Sequence, residues 1–410
     1  CLTTLFIISI TKRFFKFFLK RSDILARVGI IAEFNPLHTG HCFLLNAARR
    51  LGTVTAVLSG NFVQRGDTAI AEKRVRARAA LLCGADIVLE MPVCYSMSSA
   101  QSFALHGVSA LKAAGCDTVM FGSECGDINM LKAAADILSS DAYKQNLKKH
   151  LKTGMTFAAA RERAADIGGG LLSGANNNLA IEYITAAKSI GADFKFITVK
   201  RQGAQHDSNT ADDGYVSASL LRKQLLAGNA EFCREYIPEN VISLFLSDGI
   251  ADIKRIETAV LAVLRAKTAE ELKNLPDLSE GIENKLFSAI RVATSLEELY
   301  NTVKVKRYTH ARIRRLVLSA FLDIDSTFFM KAPPYVRVLG FSKKGEEQLK
   351  AQIGRCDPPL VMRAEEIKAF GGDALKLFET ECRATDIYSL ASARVLPCGL
   401  EYTAKLIKTE

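Results

Sequence analysis

From Arg27 onward, short apolar runs alternate with stretches of helical period. Residues 28–32, 54–58, 86–89, 118–121 and 194–199 are near-continuous apolar runs, rich in Val, Ile and Phe and too short for buried helices. Such runs predict strands covered on both faces. Ser59-Gly60-Asn61, Pro92 and Gly122 end three of them. Residues 41–51, 71–83 and 99–113, and several segments between 127 and 190, carry apolar positions at helical spacing. The alternation predicts an α/β fold with a parallel sheet, which binds ligands at the carboxyl ends of its strands. After about Gly228 the pattern turns mostly helical, so a boundary is expected there, between 27–228 and 229–410. One later run, 335–341, follows the turn Ala332-Pro333-Pro334 and reads as a strand.

The first 26 residues break this rhythm. An apolar stretch, 2–10, precedes a basic and aromatic one, 11–21, which reverses the order of a secretory signal. This extension is read as upstream sequence joined to the gene by a misplaced start and is set aside from the fold. It carries +4 of the chain's +10 net charge, so the remaining body is only mildly basic. A hydrophobic share of 49% over 410 residues suits a folded enzyme of two domains and argues against disorder. No apolar run reaches the roughly 18 residues of a membrane span. The ten cysteines form no C-x-x-C pair, so zinc of the usual spacing is not expected. They read as free thiols of a reducing cytoplasm, most of them buried.

The densest chemistry follows the first strand, in Glu33-Phe34-Asn35-Pro36-Leu37-His38-Thr39-Gly40-His41. Asn-Pro turns the chain, and His-x-Gly-His opens a helix. Gly40 lets a phosphate approach the backbone at a helix N-terminus. His38 and His41 can hydrogen-bond phosphates and hold the charge that builds during in-line displacement. A second cluster, Tyr215-Val216-Ser217-Ala218-Ser219-Leu220-Leu221-Arg222, brings two hydroxyls and an Arg to the start of another helix. The hydroxyls suit capping or phosphate binding, and Arg222 suits bidentate pairing.

Together these motifs resemble the His-x-Gly-His nucleotidyltransferase superfamily. With Ser59-Gly60-Asn61-Phe62-Val63-Gln64-Arg65-Gly66-Asp67, Gly122-Ser123-Glu124, 176–183, 201–207, 304–309 and Thr385-Asp386-Ile387-Tyr388-Ser389-Leu390, the chain is similar to the bacterial tRNA(Met) cytidine acetate ligase family from about Val28 to the C-terminus. The resemblance implies a Rossmann-like nucleotidyltransferase domain followed by a mainly helical RNA-binding domain. It implies ATP and acetate as substrates, acetyl-adenylate as intermediate, and elongator tRNA(Met), acetylated at N4 of the wobble cytidine, as acceptor. A small-molecule adenylyltransferase and a non-catalytic RNA-binding protein are the alternatives. Intact His38, His41, Ser219 and Arg222 weigh against the second, and the long basic C-terminal half against the first.

The ATP site implied by the resemblance comprises Ile31, Ala32, Glu33, Phe34, Asn35, Pro36, Leu37, His38, Thr39, Gly40, His41 and Leu44, with Gly122, Asn176 and Arg201. Gly126 and Asn177 are alternatives to Gly122 and Asn176. Gln64 and Arg65 are expected at acetate or pyrophosphate. Lys73 either neutralises phosphate, as a catalytic group beside His38, His41, Ser219 and Arg222, or lies on a solvated helix face. Magnesium is expected with the nucleotide, but the sequence offers no protein ligand set for it. Lys304, Lys306, Arg307, Arg312, Arg314 and Arg315, with Tyr300, Tyr308 and His310 interleaved, are expected to bind tRNA phosphates and stack on bases. Arg337, Lys343 and Lys344 are expected to extend that face. The sequence calls for no membrane and no obligate protein partner. Ser219 replaces a common Thr and keeps its hydroxyl. Ala175 stands where a turn-forming Pro would be unsurprising.

Overall fold

The structure is a computed structural model that describes residues 25–168, 170–201, 216–278, 281–306 and 308–410. Most of the N-terminal extension, Arg307, Tyr215 and residues 202–207 lie outside the described residues.

The chain begins with β1 (Ala26–Ala32), α1 (Thr39–Arg49) and β2 (Gly52–Ser59). A small hairpin follows, β3 (Phe62–Val63) and β4 (Asp67–Thr68), then α2 (Lys73–Leu82), β5 (Ile87–Met91), α3 (Ala100–Ala113) and β6 (Thr118–Ser123). Several helices lead to α4 (Ala175–Ser189) and β7 (Lys195–Lys200). The second half is helical through α5 (Ala218–Leu226) and α6 (His310–Leu322). It then adds β8 (Val336–Ser342), β9 (Leu360–Val361), α7 (Gly372–Ala391), α8 (Leu400–Thr403) and β10 (Ile407–Thr409).

The main sheet runs β10-β8-β5-β2-β1-β6-β7, with β9 beside β8. The five strands expected from the apolar runs pair parallel with one another, β1 pairing in register with β2 from Ala26↔Gly52 to Ala32↔Leu58. Buried Val28, Ile30, Val54, Ala56 and Leu58 explain why these runs lack polar alternation: helices cover both faces. The strand expected at 335–341 is present, but it pairs antiparallel with β5. The sheet therefore crosses the boundary expected near residue 228, and the mainly helical second half returns to seal its edge.

Strand order reverses direction at β1, where β2 lies on one side and β6 on the other. That is a topological switch point, and the crevice outside the ends of β1 and β6 is where such sheets bind ligands. β1 runs into His38 and β6 ends beside Gly122, so the two sequence motifs flank this crevice.

Candidate active site

Phe34, just past β1, is 1% exposed yet holds a left-handed backbone with φ of 46°. Packing holds this strained turn, which aims the following residues at the crevice. Buried Asn35 accepts from the Ile70 N–H at 2.8 Å, tying the turn to the loop after β4.

His38 is the N-cap of α1, and the motif caps itself. The Gly40 N–H donates to His38 Nδ1 at 3.1 Å, and the His38 N–H donates to His41 Nδ1 at 3.4 Å. With both Nδ1 atoms accepting, the protons sit on Nε2, so each ring offers an outward donor. The ring centroids are 3.9 Å apart. A Cβ on Gly40 would lie 2.9 Å from His38 Cε1, so a larger residue would push the ring aside. Both rings are recessed but keep partial solvent access, as expected in a concave site. Burial, then the Arg201 guanidinium, lowers His38 to about 4; burial, His38 and Arg201 hold His41 well below the usual histidine range. Both are neutral donors at pH 7.

Arg201 follows β7, and its N–H donates to the Ser123 carbonyl at 2.9 Å. A Cβ on Gly122 would come within 3.3 Å of Arg201 Cγ, which leaves this strand end bare beside the guanidinium. Glu124 organises the triple-Asn run. Its Oε1 accepts from both the N–H and the side-chain amide of Asn176, at 3.0 and 2.7 Å. Asn177 is 3% exposed and spends its amide on the backbones of Glu124, Cys125 and Leu171. Of the two, Asn176 is the one partly open to solvent. Gly126 has φ of 66° and makes the turn after β6.

The second motif joins the first. Ser217 caps α5 through the Leu220 N–H at 3.1 Å. Ser219 Oγ accepts from Arg65 at 3.3 Å and from Arg222 at 3.2 Å. The other end of the Arg222 fork donates to the Asn35 carbonyl at 2.7 Å. The Gln64 N–H donates to the Glu33 carboxylate at 2.9 Å. Thus Glu33, Asn35, His38, His41, Gln64, Arg65, Ser219 and Arg222 form one connected group. Arg201 joins it electrostatically through both histidines.

Two expectations need correction. Lys73 lies neither on a solvated face nor on the phosphate side: it is fully buried, paired with Glu90, with Glu381 at 2.6 Å and with Glu401 at 2.7 Å. Its three partners come from β5, α7 and α8, so it clamps the C-terminal helices to the sheet. Arg337 does not extend a tRNA face either. It is 5% exposed and pairs with Glu401 inside the same cluster.

The basic run is less solvated than its charge suggests. Arg312 and Arg315 both pair with Asp277, at 3.6 and 3.4 Å. Arg314 lies over the Tyr300 ring, 5.4 Å from its centroid. Lys304 is half-buried and donates to the Val305 carbonyl at 2.8 Å; Lys306 is exposed. The start of α6 also touches the catalytic loop. Arg315 donates to the Gln64 carbonyl at 3.0 Å. Gly66, at φ of 71°, passes so close that a Cβ would meet Arg314 Cβ and the Arg315 nitrogen at 2.5 Å. Asp67 completes this junction: burial raises its pKa, while Arg222 and Arg314 favour its charge. Sequence reading missed Asp67 and Glu124 as site builders. Their only signal was an acid inside each motif.

A parallel sheet with a self-capped His-x-Gly-His helix at its switch point, bridged by Arg222 to a Ser-bearing helix, defines a nucleotidyltransferase. The HIGH Nucleotidyl Transferase family model matches residues 25–398. The tRNA(Met) cytidine acetate ligase of Thermoanaerobacter sp. (strain X514) is 37% identical over 400 residues, covering 93% of this chain and 99% of that protein. That of Caldanaerobacter subterraneus subsp. tengcongensis is 35% identical over 398 residues, covering 93% and 99%. Crystal structures of Thermotoga maritima TmcAL, 30% identical, superpose with TM-scores of 0.87 for the apo form and 0.85 for the form bound with alpha-thio ATP, each covering 93% of this chain and 99% of that one. The chain belongs to the tRNA(Met) cytidine acetate ligase family.

Proposed function

We propose that this protein is an ATP-dependent ligase that forms N4-acetylcytidine at the wobble position of elongator tRNA(Met). Acetate oxygen attacks the α-phosphorus of ATP, and the bond to the β-phosphate oxygen breaks, giving acetyl-adenylate and pyrophosphate. Cytidine N4 then attacks the acetyl carbon, AMP leaves, and N4 gives up a proton.

Ser219 carries this reading. It brings Arg65 and Arg222 onto one hydroxyl, and Arg222 also holds the Asn35 carbonyl of the turn that leads to His38, so a carboxylate and a phosphate have partners in one connected group. The Nε2–H groups of His38 and His41 suit the phosphate oxygens on which charge grows, and Arg201 adds a fixed positive charge. Arg65 suits acetate, since a guanidinium matches a carboxylate fork to fork. Asn176 and Gly122 suit the nucleoside end. Full-length similarity to the ligases supports the same assignment.

Magnesium would enter as the ATP complex, bound by phosphate oxygens and water. Among the described residues, the one cluster of three potential metal ligands is Glu90, Glu381 and Glu401, and Lys73 already occupies its centre. That cluster does not suit a metal. Lys304, Lys306 and the start of α6 would meet tRNA, with residues 229–410 as the RNA-binding part and 27–228 as the ATP-binding part. No described helix is long and apolar enough to cross a membrane. The cytoplasmic location proposed here rests on the free cysteines, which suit a reducing compartment.

The test is pyrophosphate release from ATP. The ligase requires acetate for it. Release without acetate would move the assignment to a small-molecule adenylyltransferase, and no release would leave an RNA-binding protein.

A further inference from the structure

Cys42 directly follows His41 on α1, and Cys83 caps the C-terminus of α2. Their sulfurs are 2.9 Å apart, within an ångström of the disulfide bond length of about 2.05 Å. Both are partly exposed, whereas Cys94, Cys116, Cys233 and Cys382 are buried. The two helix segments already abut: a Cβ on Gly84 would sit 3.5 Å from Asn46 Oδ1 and 3.6 Å from Arg49 Cδ. Bond formation therefore needs only that the two segments close the remaining gap of just under 1 Å between the sulfurs.

We propose that Cys42 and Cys83 form a reversible disulfide that restrains the nucleotide site. This rests on α1 being that site. The Cys42 thiol donates to Cys83, and this hydrogen bond holds the Cys83 thiol below its ordinary range. Cys83 is then the sulfur that reacts first with a peroxide oxidant. Its thiolate attacks one peroxide oxygen, the O–O bond breaks, and the departing hydroxide leaves as water, giving a sulfenic acid. Cys42 sulfur attacks that sulfur, the S–O bond breaks, and the oxygen leaves as a second water with the Cys42 proton. Two thiols and one peroxide give one disulfide and two waters.

The consequence reaches the histidines through the backbone. The Cys42 N–H donates to the His38 carbonyl at 3.1 Å. Drawing the Cys42 sulfur toward Cys83 pulls on the helical turn that sets His38, Gly40 and His41. A displacement of about 1 Å in a catalytic group can cost roughly 100-fold in rate.

The experiment treats the full chain with hydrogen peroxide, then digests it for mass spectrometry. Linked Cys42 and Cys83 peptides, lacking two hydrogens, are expected. ATP affinity by calorimetry and acetate-dependent pyrophosphate release should each fall about 10-fold or more, and dithiothreitol should restore both. Cys83→Ser should resist peroxide and keep its starting activity, with exposed Cys398 oxidised in both proteins as the control. Absence of the linked peptides while Cys398 is oxidised overturns the proposal. So does a cross-link that changes neither readout, or equal peroxide sensitivity in Cys83→Ser. ATP affinity reports on the switch even if the reduced protein shows no acetate-dependent turnover, which would count against the ligase reading alone.

Discussion

The Arg222 guanidinium donates to the main-chain carbonyl of Asn35 at 2.7 Å, across 187 positions of sequence. One fork thereby holds the turn that leads to His38 and, through Ser219, the Arg65 side chain. Arg222→Ala should lower acetate-dependent pyrophosphate release by about 100-fold. Arg222→Lys should recover little, because one ammonium cannot reproduce the planar fork that serves Asn35 and Ser219. Full rescue by Lys, in the same assay, would show that charge alone matters there.

The two histidines act as neutral donors, so their titration should not shape the rate near neutrality. His38 is lowered to about 4 by burial and Arg201. A profile of kcat/KM for ATP should show no inflection near the ordinary histidine value of 6.5. His41→Ala should cut pyrophosphate release by about 100-fold with an unchanged melting temperature. An inflection near 6.5 that disappears in His41→Ala would instead mark a protonated imidazole.

Lys73 holds three buried carboxylates, with Arg74 and Arg337 as further cations. Removing the ammonium leaves charge buried without its partner, so Lys73→Met should cost about 3–5 kcal/mol of stability. Urea unfolding measures this. A normally stable but inactive Lys73→Met protein would return Lys73 to a phosphate role.

His106 is fully buried against Tyr95, and neither ring nitrogen has a hydrogen-bond partner among the described residues. Burial lowers it to about 3 from the usual 6.5. Between those values the unfolded chain binds a proton that the folded chain refuses, so stability falls as pH drops through this window, by at most about 1.4 kcal/mol per pH unit from this group. His38 and His41 act in the same direction. His106→Phe should therefore show a shallower loss of stability than the parent between pH 6.5 and 3. Identical slopes in urea unfolding would contradict the buried neutral ring.

The basic run divides by position. Exposed Lys306 and half-buried Lys304 should bind tRNA phosphates directly, so reversing both charges should weaken tRNA binding and flatten its salt dependence. Arg315, which donates to the Gln64 carbonyl, should also matter without RNA. Arg315→Ala should slow pyrophosphate release from ATP and acetate several-fold. Unchanged release would show that the contact between α6 and the Gln64 loop is idle.

Much of this site was legible because its parts are local. A parallel strand shows as a short apolar run, and His38, Gly40 and His41 lie within one helical turn. Lys73 was misread because its partners, Glu381 and Glu401, stand more than 300 positions away, and local pattern carries no trace of them. The expected break near residue 228 was a change of composition, while β8 returns to β5 across some 250 residues. The hairpin β3–β4 was invisible because two-residue strands have no period. The basic run read as a free face because charge pattern does not reveal Asp277 or the passing Gly66 loop.

Nucleoside mass spectrometry of elongator tRNA(Met), incubated with this protein, ATP and acetate, tests the central claim most directly. N4-acetylcytidine should form when all three additions are present and vanish when any one is left out. No acetylated nucleoside from a protein that still binds ATP would contradict the ligase assignment.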